Sequence, residues 1–365
     1  MFLYIFLTLW MFIVLMIGLR PDAIMAAKSW PEKPKKENVR SNLAISTIIS
    51  AITMAVLWFI TAFRSSNIGN DTETYLYYFN IFSKNLDMTR SFEIGYQILN
   101  RIIGLFTNDP HIFIIIMATI MYLGVIWYIF KYSKNTCISV CLFFCYFFSI
   151  FTTMMRQGIA MIIVLYGYQM LKQDKKIKAA ILFLLATTFH TTAIISFLFF
   201  LRTELLKKRW FVLLLTIFCI AITSTGILNT LVSLVVPRYS HYFDSRYASS
   251  GWLSVSISLI IYYLWYILIN KSINKNNKSD QLVATNFTLL LISAALGYSV
   301  NLFTRSGEYF LLIAITELPN MLFRGKNRNY RLTLFTLCSI LLALFIITLI
   351  FRPGWNHLYP YEFWG

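Results

Sequence analysis

Residues 155–197 decide the fold, and they read MRQGIAMIIVLYGYQMLKQDKKIKAAILFLLATTFHTTAIISF. Two apolar runs flank a lysine-rich turn, and the second run is broken at Phe189-His190-Thr191-Thr192. Arg156 and His190 therefore stand in apolar sequence, where a charge is costly. An ionisable residue inside a membrane segment is by default a functional-site hypothesis. The stretch predicts membrane helices that hold polar side chains for a function.

The composition extends this interpretation to the whole chain. Of its 365 residues, 58% are hydrophobic and 13% are charged, and apolar runs of about 18 or more residues are typical of transmembrane helices. The net charge of +17 does not indicate nucleic acid, because most basic residues lie in short loops between apolar runs. Such loops set orientation and contact anionic lipid. We expect an all-α polytopic membrane protein that contacts lipid and has no nucleic-acid partner.

The basic residues predict about ten transmembrane helices with both termini outside, because this topology puts most of the 32 Lys and Arg residues in cytoplasmic loops. We predict a single membrane domain over residues 1–365, with an N-terminal span and a basic cytoplasmic loop in 1–41. Residues 64–110 form an external loop with an interfacial helix, and 301–308 form a short external turn. The predicted spans are 1–19, 42–62, 111–130, two between 134 and 172, 210–226, 252–270, 281–298, 309–322 and 332–350.

Residues 179–201 do not suit a single span. Basic clusters both precede and follow this run, so one span would put one cluster outside. A re-entrant hairpin from the cytoplasm avoids the conflict, and each arm of about eleven residues reaches about 16 Å. Its tip, His190, would lie near the bilayer midplane, whereas Arg156 would lie at the outer turn of its span.

The polar residues predicted outside suit an anionic lipid substrate. Arginine offers a rigid fork of donors that matches phosphate oxygens. Glycosyl transfer from a lipid diphosphate needs a stabilised leaving group and a base for the acceptor hydroxyl. Histidine or a carboxylate can supply the base, and aromatic rings give flat faces for sugars. The functional candidates are Arg156, His190, Arg305, Asp71 and Glu93, while His241 and Arg246 are interpreted as ordinary external-loop residues.

Six short motifs follow one another along the chain. They are Arg64…Gly69-Asn70-Asp71-Thr72…Tyr75, Glu93-Ile94-Gly95-Tyr96, Met155-Arg156-Gln157, Phe189-His190-Thr191-Thr192, Arg305-Ser306-Gly307-Glu308-Tyr309-Phe310 and Tyr359-Pro360-Tyr361-Glu362-Phe363. Their order and spacing resemble those of the EpsG family, Wzy-like bacterial membrane proteins of exopolysaccharide and capsule synthesis. The resemblance covers the chain from about Ala62 to the C-terminus.

The resemblance implies a GT-C-like polysaccharide polymerase on the outer face of the bacterial cytoplasmic membrane, with no metal and no cofactor. It would move a glycan from undecaprenyl diphosphate onto another lipid-linked oligosaccharide, with a chain-length regulator and a repeat-unit flippase as partners. The implied roles are activation of the acceptor hydroxyl by His190, Asp71 or Glu93, diphosphate binding by Arg156, Arg305 and Arg64, and contacts to sugars or other substrate groups by Gln157, Tyr75, Tyr96 and Tyr309.

Two alternatives remain open at this point. A flippase or transporter of lipid-linked sugars would use the same arginines and need no base. Transporters often contain inverted repeats with paired broken helices, and this sequence has one predicted hairpin without a second copy, which favours an enzyme. A membrane acyltransferase that modifies a glycan, with His190 as base, is the other alternative.

Overall fold

A computed structural model of the chain describes residues 1–21, 23, 37–85, 92–201, 204–227, 230, 234, 251–274, 276–298, 301–324 and 329–364. In these residues the secondary structure is helical, apart from one isolated β-bridge between Arg64 and Phe363. The all-α prediction is confirmed. His241 and Arg246 lie outside the described residues.

The helices begin and end close to the positions of charged and polar residues. The described α-helices are α1 (Phe2–Gly18), α2 (Glu37–Ala62), α3 (Thr72–Phe82), α4 (Ile94–Gly104), α5 (Pro110–Tyr132), α6 (Thr136–Thr153), α7 (Met155–Lys172), α8 (Lys176–Thr187), α9 (Arg209–Ser224), α10 (Trp252–Asn270), α11 (Lys278–Leu296), α12 (Asn301–Arg324) and α13 (Tyr330–Phe351). Short 3₁₀ helices cover Thr191–Phe200, Glu204–Lys207 and Pro353–Trp355.

Six of these helical segments are long and apolar enough to cross a membrane, which establishes a membrane protein. They are Ala44–Ala62, Pro110–Tyr132, Thr136–Thr153, Trp252–Asn270, Lys278–Leu296 and Tyr330–Phe351. Phe2–Gly18, Thr191–Phe200 and Arg209–Ser224 are apolar but shorter. The count of about ten spans, the single membrane domain, the GT-C-like architecture and the outside position of both termini stay predictions.

The described helices group into two compact units. The first unit comprises Met1–Ile163, Leu184–Thr191 and Lys326–Gly365. Its central helix is α6, which packs against α1, α2, α5 and α13 and is buried along most of its length. Helices α3 and α4 pack against each other, and α3 also contacts α5. This pair carries the residues of the predicted external loop.

The second unit comprises Val164–Phe183 and Thr192–Gly325. Its central helix is α11, which packs against α9, α10 and α12. Helix α11 carries polar residues into its core, and Asn286 Nδ2 donates a hydrogen bond to the backbone oxygen of Phe310 at 3.1 Å. A polar group buried in this way requires such a partner.

Helix α12 differs from the sequence prediction. Residues 301–308 were expected to form an external turn, but they are the first two turns of α12, which runs from Asn301 to Arg324. The prediction counted Arg305 and Glu308 as loop residues because of their charge. Since they are three residues apart, they occupy neighbouring positions on one helix face, and the apolar residues beside them continue the helix.

The stretch predicted as a hairpin consists of α8, a turn at Thr188–His190, and the 3₁₀ helix Thr191–Phe200. A 3₁₀ helix rises about 2.0 Å per residue, so its ten residues extend about 20 Å. This is longer than the predicted arm of about 16 Å, which assumed α-helical rise. Whether the segment re-enters the membrane stays a prediction.

Candidate functional site

The carboxylate of Glu93 is the centre of the candidate site. Its Oε2 accepts a hydrogen bond from Arg156 Nη1 at 2.6 Å. Its Oε1 accepts hydrogen bonds from the backbone nitrogen and the hydroxyl of Thr191, at 3.0 and 3.1 Å, and lies 3.4 Å from His190 Nδ1. The structure thus brings three of the predicted functional residues together, with Arg156 and His190 both in contact with the Glu93 carboxylate.

Local backbone geometry sets the position of Glu93. Glu93 is the N-cap residue of α4 and has extended backbone angles, so its side chain leaves the helix end. Two residues later, the Gly95 nitrogen donates a hydrogen bond to the Thr188 backbone oxygen at 2.8 Å. A Cβ on Gly95 would lie 2.7 Å from that oxygen. Glycine is therefore needed where α4 approaches the turn that carries His190.

Arg156 enters the site from the start of α7. Helices α6 and α7 are separated by Met154, whose backbone angles are non-helical, and Arg156 is the second residue of α7. Its guanidinium carbon lies 4.4 Å from the ring centre of Phe92, 5.8 Å from that of Tyr96 and 6.0 Å from that of Tyr75. An arginine stacked on aromatic faces keeps its charge and its orientation.

The surroundings of Glu93 keep it ionised. Burial by itself raises the pKa of a carboxyl group, but His190, Arg156 and the Thr191 amide outweigh this effect and lower the Glu93 pKa from 4.5 to about 2. Burial raises the pKa of Tyr75, so its phenol stays protonated beside Arg156. The site therefore combines a fixed carboxylate, a fixed guanidinium and a neutral phenol with the imidazole of His190.

The contacts of His190 and Arg156 with Glu93 are incompatible with two different depths for these two residues. His190 was expected near the bilayer midplane, whereas Arg156 was expected at the outer edge and Glu93 in the external loop. Because Arg156 and His190 both contact the Glu93 carboxylate, the three residues lie at one level. The depth of that level in the membrane stays a prediction.

Asp71 and Arg64 lie in the connection between α2 and α3. Asp71 is half-buried and stands directly before α3, one helical turn ahead of Tyr75, whose nitrogen donates to the Asp71 backbone oxygen at 3.0 Å. Arg64 is fully buried; it donates through Nη1 to the Thr61 backbone oxygen and through Nε to Thr72 Oγ1 at 3.4 Å. Arg64 thus ties the end of α2 to the start of α3 and is not exposed to a ligand in this conformation.

The other predicted substrate residues are mostly buried. In the first unit, Tyr75, Tyr96 and Gln157 are 3%, 0% and 2% exposed. The rings of the two tyrosines face the Arg156 guanidinium. In the second unit, the Tyr309 hydroxyl hydrogen-bonds the Thr192 hydroxyl at 3.1 Å, and Arg305 lies one turn earlier on α12.

Sequence reasoning missed Thr191, Phe92 and Gly95 as contributors to the site. Thr191 and Gly95 lie inside motifs that were singled out, next to His190 and Glu93, so their proximity in sequence was the available signal. Phe92 precedes Glu93 and had no signal of its own, because its role depends on the approach of α7. Among the residues that the structure describes, no three His, Cys, Asp or Glu side chains are grouped as metal ligands.

A protein-family profile, that of the EpsG family, matches residues 47–363. The chain belongs to the EpsG family. Membership identifies it as a membrane protein of exopolysaccharide polymerase-like function. No curated protein and no solved structure matches the chain. Glu93, Arg156, His190 and Thr191 all lie within the matched residues 47–363.

Proposed function

We propose that this EpsG protein polymerises undecaprenyl diphosphate-linked oligosaccharide repeat units into exopolysaccharide or capsule, by metal-independent glycosyl transfer on the outer face of the cytoplasmic membrane. The observation that carries the proposal is the shared carboxylate of Glu93, which holds an arginine and a histidine side by side. Transfer from a lipid diphosphate needs a cation for the leaving group and a base for the acceptor. The cluster supplies both.

His190 is the proposed base. Glu93 lies on the Nδ1 side of the imidazole, and a carboxylate at that nitrogen favours the tautomer with the proton on Nδ1. Nε2 then carries the lone pair that removes the acceptor proton. Glu93 itself is a weak base, because its pKa is about 2, so its proposed role is to orient His190 and Arg156.

Arg156 is the proposed diphosphate ligand. Glu93 accepts from Nη1, and a guanidinium has five N–H donors in a fixed fork. In the proposed step, the acceptor oxygen forms a bond to the anomeric carbon of the donor sugar while the bond to the diphosphate oxygen breaks. The acceptor proton passes to His190, and the negative charge of the released lipid diphosphate is stabilised by Arg156. Arg305 and Asp71 remain proposed substrate contacts, whereas buried Arg64 is proposed to support the connection that carries Asp71. A chain-length regulator and a flippase remain proposed partners.

Product length tests the proposal. Purified protein is incubated with a lipid diphosphate-linked oligosaccharide, and products are separated by size. We expect a ladder of longer glycans, which disappears in Arg156→Ala and persists in Arg101→Ala. Arg101 is the matched control because its guanidinium binds the backbone oxygens of Ser83 and Lys84.

The same preparation distinguishes the alternatives. Movement of the lipid across a vesicle membrane without any ladder would overturn the polymerase proposal in favour of a flippase. Transfer of an acyl group to the glycan without elongation would favour an acyltransferase. A ladder that survives Arg156→Ala would remove Arg156 from the mechanism.

A further inference from the structure

The C-terminal tail pairs with the connection that carries Asp71. The Ser65 nitrogen donates to the Glu362 backbone oxygen at 2.9 Å, and the Trp364 nitrogen donates to the Phe63 backbone oxygen at 2.9 Å. Between them lies the β-bridge of Arg64 and Phe363. We call residues 355–364 the C-terminal strap. It supplies hydrogen-bond partners that an irregular connection cannot find within itself.

The strap also binds the two residues immediately before Asp71. The Gly69 nitrogen donates to the His357 backbone oxygen at 3.0 Å, and Asn70 Nδ2 donates to the Trp355 backbone oxygen at 2.7 Å. Gly69 has a φ of +90°, which a residue with a Cβ rarely adopts. The main chain is therefore fixed on one side of Asp71 by the strap and on the other side by α3.

The strap is itself anchored to three helices of the first unit. The Tyr4 hydroxyl of α1 donates to the Leu358 backbone oxygen at 2.5 Å, and the Tyr361 hydroxyl donates to the Ile60 backbone oxygen of α2. Trp364 stacks on His111 of α5, with ring centres 4.6 Å apart and planes 5° apart. These contacts attach the strap to α1, α2 and α5.

We propose that the C-terminal strap is a positioning element of the transferase site. It holds Asp71 where the carboxylate can accept a hydrogen bond from the acceptor sugar, and Asn70 is its main positioning residue. The inference rests on the proposed function, since it assigns Asp71 a contact with the acceptor during glycosyl transfer. In this arrangement Arg64 acts as part of the support, because its bonds to Thr61 and Thr72 bracket the same connection.

Two asparagines of the connection provide a matched test. Both bonds are exposed. Asn70→Ala removes a 2.7 Å bond to the Trp355 backbone oxygen next to Asp71, whereas Asn67→Ala removes a longer 3.4 Å bond to the Glu362 side chain. Misplacing a catalytic contact by about 1 Å can cost about a hundredfold in rate. We expect Asn70→Ala to lower kcat by about 10- to 100-fold with little change in KM, and Asn67→Ala to keep wild-type kcat. Equal kcat values for the two variants would overturn the proposal.

Hydrogen exchange separates this inference from the proposed function. We expect peptides covering residues 63–71 to exchange faster in Asn70→Ala, and faster still in a chain ending at Gly354, while peptides of α6 keep wild-type exchange. Unchanged exchange of residues 63–71 in the shortened chain would show that the strap does not support this connection. If the wild-type protein forms no glycan ladder, the polymerase proposal fails, and the exchange measurement still decides whether the tail supports the connection.

Discussion

The two units of the molecule use ion pairs in different ways. In the first unit, Glu93 accepts from Arg156 and Thr191 and also faces His190, and the side chains of Glu93 and Arg156 are 13% and 20% exposed. In the second unit, Lys172 pairs with Glu317 at 2.6 Å, and Arg324 pairs with Asp280 at 2.7 Å. The carboxylates of these two pairs are almost completely buried.

The two pairs of the second unit whose carboxylates are buried have the features of structural contacts. Lys172 and Arg324 are the last residues of α7 and α12, where a cation complements the helix dipole, and Asp280 lies in the first turn of α11, where an anion does. Each acid has one basic partner, so each pair is neutral. In the first unit, one acid serves both a permanent cation and a titratable imidazole.

The largest effect is expected for His190→Gln. Glutamine can still hydrogen-bond Glu93 but cannot act as a base, so kcat should fall by about 10²- to 10⁴-fold. Substrate binding and the thermal midpoint should stay near wild-type values. Single-turnover elongation and lipid binding to the purified variant would measure these quantities. A kcat within a factor of about 10 of wild type would show that another group accepts the proton, with Asp71 the next candidate.

Lys172→Ala in the second unit should have the opposite effect to His190→Gln, because it should lower stability and leave kcat unchanged. This change leaves the carboxylate of Glu317, which is 2% exposed, without its partner. Breaking a buried pair from one side typically costs about 3–5 kcal/mol, so the thermal midpoint in detergent should drop, while kcat per folded molecule stays unchanged.

The double variant Lys172→Met, Glu317→Leu is the control for that experiment. Replacing both partners by apolar groups removes the unpaired charge, so most of the lost stability should return. A double variant as unstable as Lys172→Ala would mean that an unpaired Glu317 charge is not the source of the lost stability. A fall in kcat of the folded double variant would mean that this pair also contributes to turnover.

The sequence predicted elements better than contacts between them. Helix α10 runs from Trp252 to Asn270 as expected, because polar residues mark both of its ends. Glu93, Arg156 and His190 were each recognised from local motifs. Their meeting on one carboxylate was not predictable, because it depends on how segments 63 residues apart in the chain pack together. The burial of Arg64 was missed for the same reason, since the strap that covers its connection lies at the other end of the chain.

A smaller effect is expected for Gly95→Ala. The new Cβ would meet the Thr188 backbone oxygen at 2.7 Å, so α4 and Glu93 must shift away from the His190 turn. We expect a loss of about tenfold in kcat, since sub-ångström errors in a catalytic group are felt in the rate. Gly158→Ala is the control, because its Cβ would meet the flexible end of the Met121 side chain. Equal kcat in both variants would contradict the tight approach of α4 to that turn.

The smallest effect is expected for the way in which Glu93→Gln changes the dependence of thermal stability on acid pH. The Glu93 pKa is lower in the folded protein, about 2, than its ordinary value of 4.5. The folded state therefore gains stability from ionised Glu93 above pH 4.5, and this contribution is lost as the pH falls from 4.5 towards about 2.

The difference in thermal midpoint between wild type and Glu93→Gln should be constant above pH 4.5 and should shrink between pH 4.5 and about pH 2. Glu73→Gln, which changes an exposed carboxylate on α3, should not show this narrowing. If the difference in thermal midpoint between wild type and Glu93→Gln is the same at about pH 3 as at about pH 6, then Arg156 and Thr191 do not hold the carboxylate in its charged form. The distinction between the shared carboxylate of the first unit and the two ion pairs of the second unit with buried carboxylates would then lose its electrostatic basis.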